Sequence, residues 1–447
     1  MADSLSRRDF LQRTTAVVGG ALALPAALPR KSSAYYSTDD VIRVGLIGCG
    51  GRGTGAAYQA LATSQNVQLV AMADAFRDRL DGCHDNLTKE SSDQEAAQVR
   101  SRVQVPEENK FVGFDAYKSV LPLVDVIILT TPPGFRPIHF EAAVAAGKQI
   151  FMEKPVATDG PGIRRVLAAA EEAKRKKLNV VVGLQRHYQT VYREWVERLH
   201  AGMIGEIVLG RVYWNSSGVW VRDRAGLEEK AGRKLTEMEY QMRNWYYFNW
   251  LCGDHITEQH IHNLDVGNWV MQGYPTKANG QGGRQVRTGL DHGQIFDHHM
   301  VEFEYANGGR VLSQCRHIEG CTNRVSEGFH GTSGTAPQPG VIVSASGHDL
   351  FRHDDKNDAN PYQVEHDELF AAIAAGEYKY ADAENGAYAT LTSIMGRMAT
   401  YSGREVTWED ALNSEENIMP ERYAFDATPP VVPDAEGRYP IPVPGKA

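Results

Sequence analysis

The chain is predicted to be an α/β protein with two domains, of which the first is a Rossmann domain. Its 447 residues exceed what one hydrophobic core usually serves, so two domains are expected. A glycine-rich turn directly follows an apolar, strand-like run, and strand-like and helix-like segments then alternate. These observations place the Rossmann domain at residues 39–157 and a second α/β domain at residues 158–447.

The composition argues against several classes of protein. The net charge of −9 argues against a nucleic-acid partner, because phosphate binding draws on clustered Lys and Arg. No internal apolar run approaches the roughly 20 residues that a membrane helix needs, so no stable membrane span is expected. The five cysteines are too few and too scattered for a disulfide framework or a zinc motif, although Cys315 and Cys321 are near enough in sequence to pair.

Residues 1–33 have the features of a twin-arginine signal peptide. The run from Ser6 to Gln12 (SRRDFLQ) carries the arginine pair, and a short apolar stretch from Thr14 to Leu28 follows it. Small residues between Ala23 and Ala34 offer a cleavage site. We therefore expect a protein that is periplasmic or otherwise exported by the twin-arginine route, which carries proteins that are already folded.

The first strand and the turn after it form a dinucleotide-binding motif. Val41 to Ile47 is a near-continuous apolar run, and residues 48–53 (GCGGRG) fit the pattern GxGxxG before a helical segment that reaches Leu61. The first glycine makes the tight turn, the second lets the backbone approach a pyrophosphate, and the third allows helix and strand to pack closely. The helix N-terminus then favours the phosphate charge.

A second strand ends in the acid that accompanies this motif. Val67 to Ala73 is apolar, and Asp74 follows it, 21 residues after Gly53. A carboxylate at this position accepts hydrogen bonds from the ribose hydroxyls of the adenosine and repels a 2′-phosphate. NAD is therefore preferred over NADP, with Arg77 and Arg79 leaving the acceptance of NADP open.

The alternation continues to the end of the Rossmann domain. Residues 124–131 (VDVIILTT) form a buried strand, a helix follows through His139 to Ala146, and residues 149–152 (QIFM) form a strand that ends in Glu153-Lys154-Pro155. The candidate cofactor-binding residues are Gly48, Gly50, Gly51, Arg52, Gly53, Asp74, Thr131, Pro132, Glu153 and Lys154.

A Rossmann half that ends in Glu-Lys-Pro resembles the Gfo/Idh/MocA family, named for glucose–fructose oxidoreductase and inositol dehydrogenase. The resemblance covers nearly the whole chain after the export signal, with closing helices at 365–375 and 384–402. It implies that a strand beginning at Ile207 opens a large, mostly antiparallel, open-faced sheet, and that the second domain carries the substrate. Family members associate through the open face of that sheet, so the resemblance implies a homodimer or homotetramer.

The resemblance also implies a set of catalytic residues. In the family, the lysine of Glu-Lys-Pro lies beside the nicotinamide, and a later Asp-x-x-x-His motif supplies the other catalytic groups. Alignment on His-x-x-Asp places Glu258 on the family's acid, one methylene longer than usual, and His262 on its histidine. The spacing is independently reasonable, because residues four apart on a helix share one face. Asp265 is placed to orient the imidazole of His262.

The same segment raises the alternative of a metal site. His255, Glu258, His260 and His262 offer metal-ligand atoms, with Asp297, His298 and His299 further along the chain. His260 does not share the helical face of His262, however, and no HExxH pattern is present. We expect no metal, and the candidates in the event of one are His255, Glu258 and His260.

Two aromatic-rich stretches, at 213–220 and 243–250, suit either a sugar or the packing of a core or subunit interface. Sugars offer apolar C–H faces and hydroxyls together, which Trp and Tyr beside Arg and Asn can bind. The substrate-side candidates are Arg186, Arg243, Tyr246 and His260.

The expected function is hydride transfer between a sugar, polyol or glycoside and a tightly held NAD, because a cofactor carried out of the cell in a folded protein is not replenished there. A second possibility is an NAD-dependent glycoside hydrolase, which oxidises, eliminates, hydrates and reduces, with Glu258, His260 or His255 in the acid–base steps. A third is a non-catalytic sugar-binding or sensing protein.

Overall fold

The computed structural model describes residues 40–446, so the predicted export signal at 1–33 lies outside the described residues. The strands are β1 Ile42–Ile47, β2 Val67–Asp74, β3 Lys110–Val112, β4 Val126–Leu129, β5 Gln149–Met152, β6 Val180–Val182, β7 Ile207–Ser216, β8 Pro275–Gly283, β9 His298–Tyr305, β10 Arg310–His317, β11 Arg324–Gly331, β12 Gly334–Gln338, β13 Val341–Ser344, β14 Asp349–Arg352 and β15 Val406–Thr407. The helices are α1 Gly51–Ala62, α2 Arg77–Thr88, α3 Gln94–Ser101, α4 Ala116–Val120, α5 Arg136–Ala145, α6 Gly160–Lys176, α7 Thr190–His200, α8 Arg224–Ala231, α9 Glu237–Arg243, α10 Asn249–Cys252, α11 His255–Glu258, α12 Ile261–Met271, α13 Pro361–Ala374, α14 Ala383–Ser402 and α15 Trp408–Leu412.

The first six strands form a parallel sheet in the order β3-β2-β1-β4-β5-β6. β4 is buried along its whole length, as expected for a strand covered by helices on both faces. This strand order is that of doubly wound dinucleotide-binding domains, and the predicted Rossmann fold is confirmed. The order reverses between β1 and β4, and in such sheets ligands bind at that point, beyond the carboxyl ends of the strands.

The parallel sheet extends past residue 157, where the sequence placed the domain boundary. β6 pairs with β5 through Phe151 and Val181, and α6 connects the two strands. The α6 helix begins at a cap in which the Asp159 carboxylate accepts a hydrogen bond from the Gly162 N–H at 2.8 Å. The sheet that carries the nucleotide motif therefore ends near residue 182.

The second sheet has nine strands in the order β14-β13-β12-β11-β7-β10-β9-β8-β15. Its neighbours are antiparallel except for β7 and β10, which run parallel, so the predicted mostly antiparallel sheet is confirmed. Side chains alternate across it: Val301 and Phe303 on β9 are buried with the apolar residues of α14, whereas Met300 is 50% exposed. One face thus packs on helices and the other is open.

No helix within residues 40–446 has the length and apolar character to cross a membrane. All five cysteines lie in this range as free thiols, and Cys321 is the exposed one. The pairing of Cys315 with Cys321 that their spacing allowed does not occur, because Cys315 is buried on β10.

Candidate active site

A cleft of about 670 Å³ lies at the carboxyl ends of the parallel strands. Its wall includes Gly48 after β1, Asp74 at the end of β2, Thr130 after β4 and Lys154 after β5. Residues of α11, α12 and the 214–245 region of the second domain form the opposite side. The volume falls in the range of about 300–1,000 Å³ that ligand pockets span, and the position is the one that the strand order dictates.

The glycines of the turn divide into two kinds. A Cβ on Gly53 would lie 1.9 Å from the Gly48 carbonyl oxygen, and Gly48 itself has φ +96°, so both glycines are required by the packing of turn and helix. A Cβ on Gly50 or Gly51 would meet no atom within 4 Å, although both residues line the cleft. The space over these two backbones is therefore open to a ligand, as a dinucleotide pyrophosphate at the start of α1 requires.

Asp74 is held in place by backbone groups of the cleft. Its Oδ2 accepts a hydrogen bond from the Cys49 N–H at 2.7 Å, and its Oδ1 accepts one from the Phe76 N–H at 2.9 Å. Burial raises the pKa of this carboxyl, while the two N–H groups and Arg79 act to lower it. Thr131 and Pro132, on the neighbouring loop, also line the cleft, so the structure brings the predicted cofactor residues together.

Arg52 is bound to the protein on the cleft side of α1. Its Nε donates to Glu153 Oε1, and its Nη2 lies 3.4 Å from Glu365 Oε1 on α13. Burial, and then the charge of Glu153, raises the pKa of Glu365 well above its usual range. The sequence pointed to Arg52 and Glu153 but missed Glu365, for which the only indication was an acid inside an apolar helix.

Lys154 contacts the second domain directly. Its ammonium group donates to the backbone carbonyl oxygen of Glu258 at 2.5 Å and to the Glu258 Oε1 atom at 3.3 Å. Both side chains are largely buried and line the cleft. The other carboxylate oxygen of Glu258, Oε2, is buried and has no hydrogen-bond partner among the described residues.

The prediction that Glu258 and His262 share one face of a single helix is wrong. Helix α11 ends at Glu258 and α12 begins at Ile261, with the chain turning at Gln259 and His260. The turn is stabilised by a bond from the His260 N–H to the His255 carbonyl at 3.1 Å, and the carbonyl of Glu258 accepts from Lys154. Both side chains nevertheless line the cleft.

His262 presents a neutral imidazole to the cleft. Its side chain stacks on Trp214 with ring centroids 6.0 Å apart and 26° between the planes, and its Nδ1 has no partner among the described residues. Burial, followed by the positive charges of Lys154, Arg186 and Arg52, lowers its pKa well below the usual value. A buried, unpartnered and uncharged imidazole can accept a proton from a bound ligand.

The prediction that Asp265 orients His262 is wrong. Asp265 Oδ2 lies 2.7 Å from His187 Nε2, and its Oδ1 accepts from the Asn385 side chain at 3.2 Å. Both partners are far from Asp265 in sequence, and although Asp265 and His262 are three residues apart on α12, these partners occupy the carboxylate.

Of the four predicted substrate-side residues, Arg243 alone lines the cleft. Arg243 lies 4.0 Å over the Phe76 ring and pairs with Asp78 at 3.1 Å. Arg186, Tyr246 and His260 are outside the wall of the cleft. Arg186 is paired with the buried Glu327, Tyr246 is buried in an aromatic cluster, and His260 bonds to Ser313 at 2.8 Å with its pKa lowered by burial to about 3.

Arg136, which the sequence did not single out, lines the cleft at the start of α5. It is buried, its Nη2 donates to the Thr131 carbonyl at 2.6 Å, and its Nε and Nη1 have no partner among the described residues. Burial lowers its pKa to about 10, against the opposing charge of Glu153. Unsatisfied guanidinium donors, open glycine backbones and Asp74 together fit a polar, anionic cofactor such as NAD.

Among residues 40–446, one group of side chains has the spacing of a metal site: Asp254, His255 and His299. It contains one of the three candidates, since Glu258 and His260 face elsewhere. The Asp254 oxygens are already used: Oδ1 bonds to His255 Nδ1 at 2.9 Å, and Oδ2 accepts from the Phe296 N–H at 2.9 Å and from the Tyr401 hydroxyl at 2.5 Å. Arg287 Nη1 also lies 3.5 Å from His255 Nδ1. The geometry is that of a hydrogen-bonded carboxylate with a cation beside it.

Residues 42–183 match the family GFO_IDH_MocA, an oxidoreductase family with an NAD-binding Rossmann fold. An inositol 2-dehydrogenase of Cereibacter sphaeroides is 24% identical over 362 residues, covering 79% of this chain and 92% of that protein. One of Pseudomonas fluorescens is 28% identical over 278 residues, covering 60% of this chain and 66% of that protein.

Two solved structures share the fold. A levoglucosan dehydrogenase in complex with NADH and levoglucosan superposes with a TM-score of 0.62 at 17% identity, covering 82% of this chain and 99% of that one. A scyllo-inositol dehydrogenase of Lactobacillus casei, with bound NAD(H) and scyllo-inositol, gives 0.58 at 17% identity, covering 83% of this chain and 99% of that one.

Proposed function

We propose that this protein is an NAD-dependent oxidoreductase of sugars, polyols or glycosides, since residues 42–183 match an oxidoreductase family with an NAD-binding Rossmann fold. One observation carries the proposal: the Lys154 ammonium, the Glu258 carboxylate and the His262 imidazole meet the same cleft as the nucleotide motif. Inositol 2-dehydrogenases among the relatives support a polyhydroxylated substrate.

The three side chains have separate parts in the proposed reaction. When bound, NAD supplies the nicotinamide carbon that takes up or returns a hydride. His262 accepts the proton of the substrate hydroxyl, since its side chain lines the cleft and its imidazole is neutral. The Lys154 ammonium donates two hydrogen bonds to Glu258. Its third N–H group donates to the same substrate oxygen and polarises it. Glu258 positions Lys154 through its backbone carbonyl and its carboxylate.

The proposal extends to where the protein works. The arginine-pair motif near the N-terminus supports export by the twin-arginine route, and export of a folded protein favours NAD that is held tightly and restored to its starting redox state in each cycle. The open face of the nine-stranded sheet supports assembly into a homodimer or homotetramer.

A second candidate is an NAD-dependent glycoside hydrolase, which is redox-neutral overall. The unpartnered Oε2 of Glu258 favours it, because elimination and hydration need an additional acid–base group beside His262. His255 and His260, the alternatives from the sequence, are fully buried and do not line the cleft. A non-catalytic sugar sensor is the third candidate, and the unpartnered His262 argues against it.

The deciding experiment uses full-length protein purified without added cofactor. Its absorbance spectrum is recorded, and the protein is then incubated with inositols, aldoses and aryl glycosides. We expect NAD to co-purify and to be reduced by one class of polyhydroxylated compound. Release of the aglycone without net reduction would indicate the glycosidase. Binding without turnover would indicate the sensor, and a protein that neither contains nor binds NAD would overturn all three.

A further inference from the structure

Tryptophan side chains are concentrated at the cleft. All seven tryptophans of the chain lie in the described range, and three of them, Trp214, Trp220 and Trp245, line its wall. Trp214 stacks on His262 and belongs to the reacting end. Trp220, at 38%, is the most exposed of the seven, although a large apolar ring normally gains free energy by burial.

The loop that carries Trp220 is fixed on both sides of the ring. The Tyr247 hydroxyl donates to the Val219 carbonyl at 3.3 Å, and the Arg222 N–H donates to the Asn244 side chain at 2.9 Å. Asn244 is buried, and its amide donates to the Asp291 carbonyl at 2.7 Å. The exposed ring is therefore held by the fold in a set position at the cleft.

Neighbouring rings support Trp220 from the side. Trp245 meets it with centroids 5.9 Å apart at 67°, and the buried Tyr246 does so at 6.3 Å and 67°. These edge-on contacts fix the ring while leaving it accessible. The arrangement is an aromatic platform of the kind that binds the C–H face of a pyranose.

Arg222 adds hydrogen-bond donors to this platform. Its guanidinium carbon lies 5.2 Å from the centre of the Trp220 ring, its side chain is exposed, and it forms no ion pair within residues 40–446. A free guanidinium beside an aromatic face offers several N–H donors to sugar hydroxyls. The cleft thus has a polar and apolar recognition surface separate from Lys154, Glu258 and His262.

We propose that Trp220, Trp245 and Arg222 form a second carbohydrate subsite, so that the substrate is a glycoside or oligosaccharide of at least two rings. One ring reacts at Lys154 and His262, and the next stacks on Trp220 while its hydroxyls accept hydrogen bonds from Arg222. The inference rests on the proposed function for the reacting ring. It specifies the substrate class, which an inositol-like monocyclic polyol does not satisfy.

The test compares one-ring and two-ring compounds on the NAD-loaded, full-length protein. Glucose, galactose and myo-inositol are set against cellobiose, maltose, lactose and 4-nitrophenyl glycosides, with both kcat/KM and calorimetric binding measured. Replacement Trp220→Ala is expected to lower the affinity for two-ring compounds about tenfold more than that for one-ring compounds, the size of one aromatic contact. Trp220→Phe should recover most of the loss, and Arg222→Met should give a smaller loss with the same selectivity.

A matched control is Tyr378→Ala, since Tyr378 is 40% exposed and lies outside the cleft. It should change neither class of compound. Equal losses for one-ring and two-ring compounds in Trp220→Ala, or no loss of two-ring binding, would overturn the subsite. Failure of every compound to reduce the bound cofactor would instead contradict the oxidoreductase, and the calorimetric comparison would still decide the subsite.

Discussion

The Lys154 ammonium lies 2.5 Å from the backbone carbonyl oxygen of Glu258 and 3.3 Å from its Oε1 atom. These residues are 104 positions apart, one at the end of a Rossmann strand and the other at the end of a short helix in the second domain. A main-chain atom therefore holds the Lys154 ammonium in place, and a side-chain substitution at position 258 does not remove this contact. It also explains why α11 ends at Glu258, since that carbonyl is used outside the helix.

Replacement Lys154→Ala is expected to lower turnover by about 10²–10⁴-fold, the usual contribution of a positioned proton-transfer group. NAD binding should persist, because the open glycine backbones, Asp74 and Arg136 remain. Stopped-flow reduction of the bound cofactor and calorimetric NAD titration measure the two effects separately. Substantial turnover in the variant would refute the role of Lys154.

Two glycine substitutions distinguish the glycine that leaves room for a ligand from the glycine that the packing of the turn requires. In Gly50→Ala the added Cβ meets no protein atom within 4 Å, and φ is −75°, so thermal stability should be unchanged while NAD affinity falls at least about tenfold. In Gly53→Ala the Cβ would lie 1.9 Å from the Gly48 carbonyl, so the melting temperature should fall as well. Gly82→Ala, on α2 in open space, serves as the control and should leave NAD binding intact. Native NAD affinity in Gly50→Ala would contradict this account of the turn.

The imidazole of His262 is expected to stay neutral as the pH falls through 6.5, the ordinary histidine value. Burial and then Lys154 lower its pKa, and a base whose pKa is lowered keeps its neutral form to a more acid pH. NMR titration of the histidine ring signals, assigned with His262→Gln, should show this. In Lys154→Met, which removes one neighbouring cation, the pKa should move upward. A native His262 that titrates near 6.5 would show that the ring is solvated rather than buried.

Chelation is expected to leave the melting temperature and turnover unchanged. The Asp254 oxygens already accept bonds from His255, Phe296 and Tyr401, and the Arg287 cation lies beside His255, so the carboxylate has partners without an ion. Elemental analysis of protein purified without added metal tests this directly. About one zinc per chain, lost together with stability on chelation, would contradict it.

Local pattern was enough to predict the Rossmann half. Each strand at the centre of its sheet is a short apolar run beside a turn, and the cap and the basic end of α6 are likewise local features. The second sheet was different. Its strand order joins β7 to β10 and β11, and pairing over such distances in sequence depends on tertiary contacts that no local pattern records.

The candidate site likewise contains residues that local motifs predicted and residues whose contacts only the tertiary structure shows. The glycines, Asp74 and Lys154 follow from motifs whose members are close in sequence. Arg186 and Asp265 do not line the cleft, because they pair with Glu327 and His187, which are distant in sequence and could not be foreseen from local pattern. The prediction of one helix over the His-rich segment also missed the turn at 259–260, because the contact that favours this turn comes from Lys154 in the other domain.

Substitutions at Glu258 test the role of its carboxylate separately from that of its backbone carbonyl, because Lys154 contacts both groups. Glu258→Gln keeps the backbone carbonyl and the length of the side chain but removes the negative charge, so Lys154 should stay in place while kcat falls by about 10–100-fold, with KM changing less. Glu258→Asp shortens the side chain by one methylene and keeps the negative charge, so it should retain more activity than the amide. If Glu258→Gln were as active as the native protein, the carboxylate would be a spectator and the carbonyl contact would be sufficient. If Glu258→Gln abolished the reduction of NAD by sugars yet left aglycone release intact, the chemistry at the cleft would be that of a glycosidase rather than of an oxidoreductase.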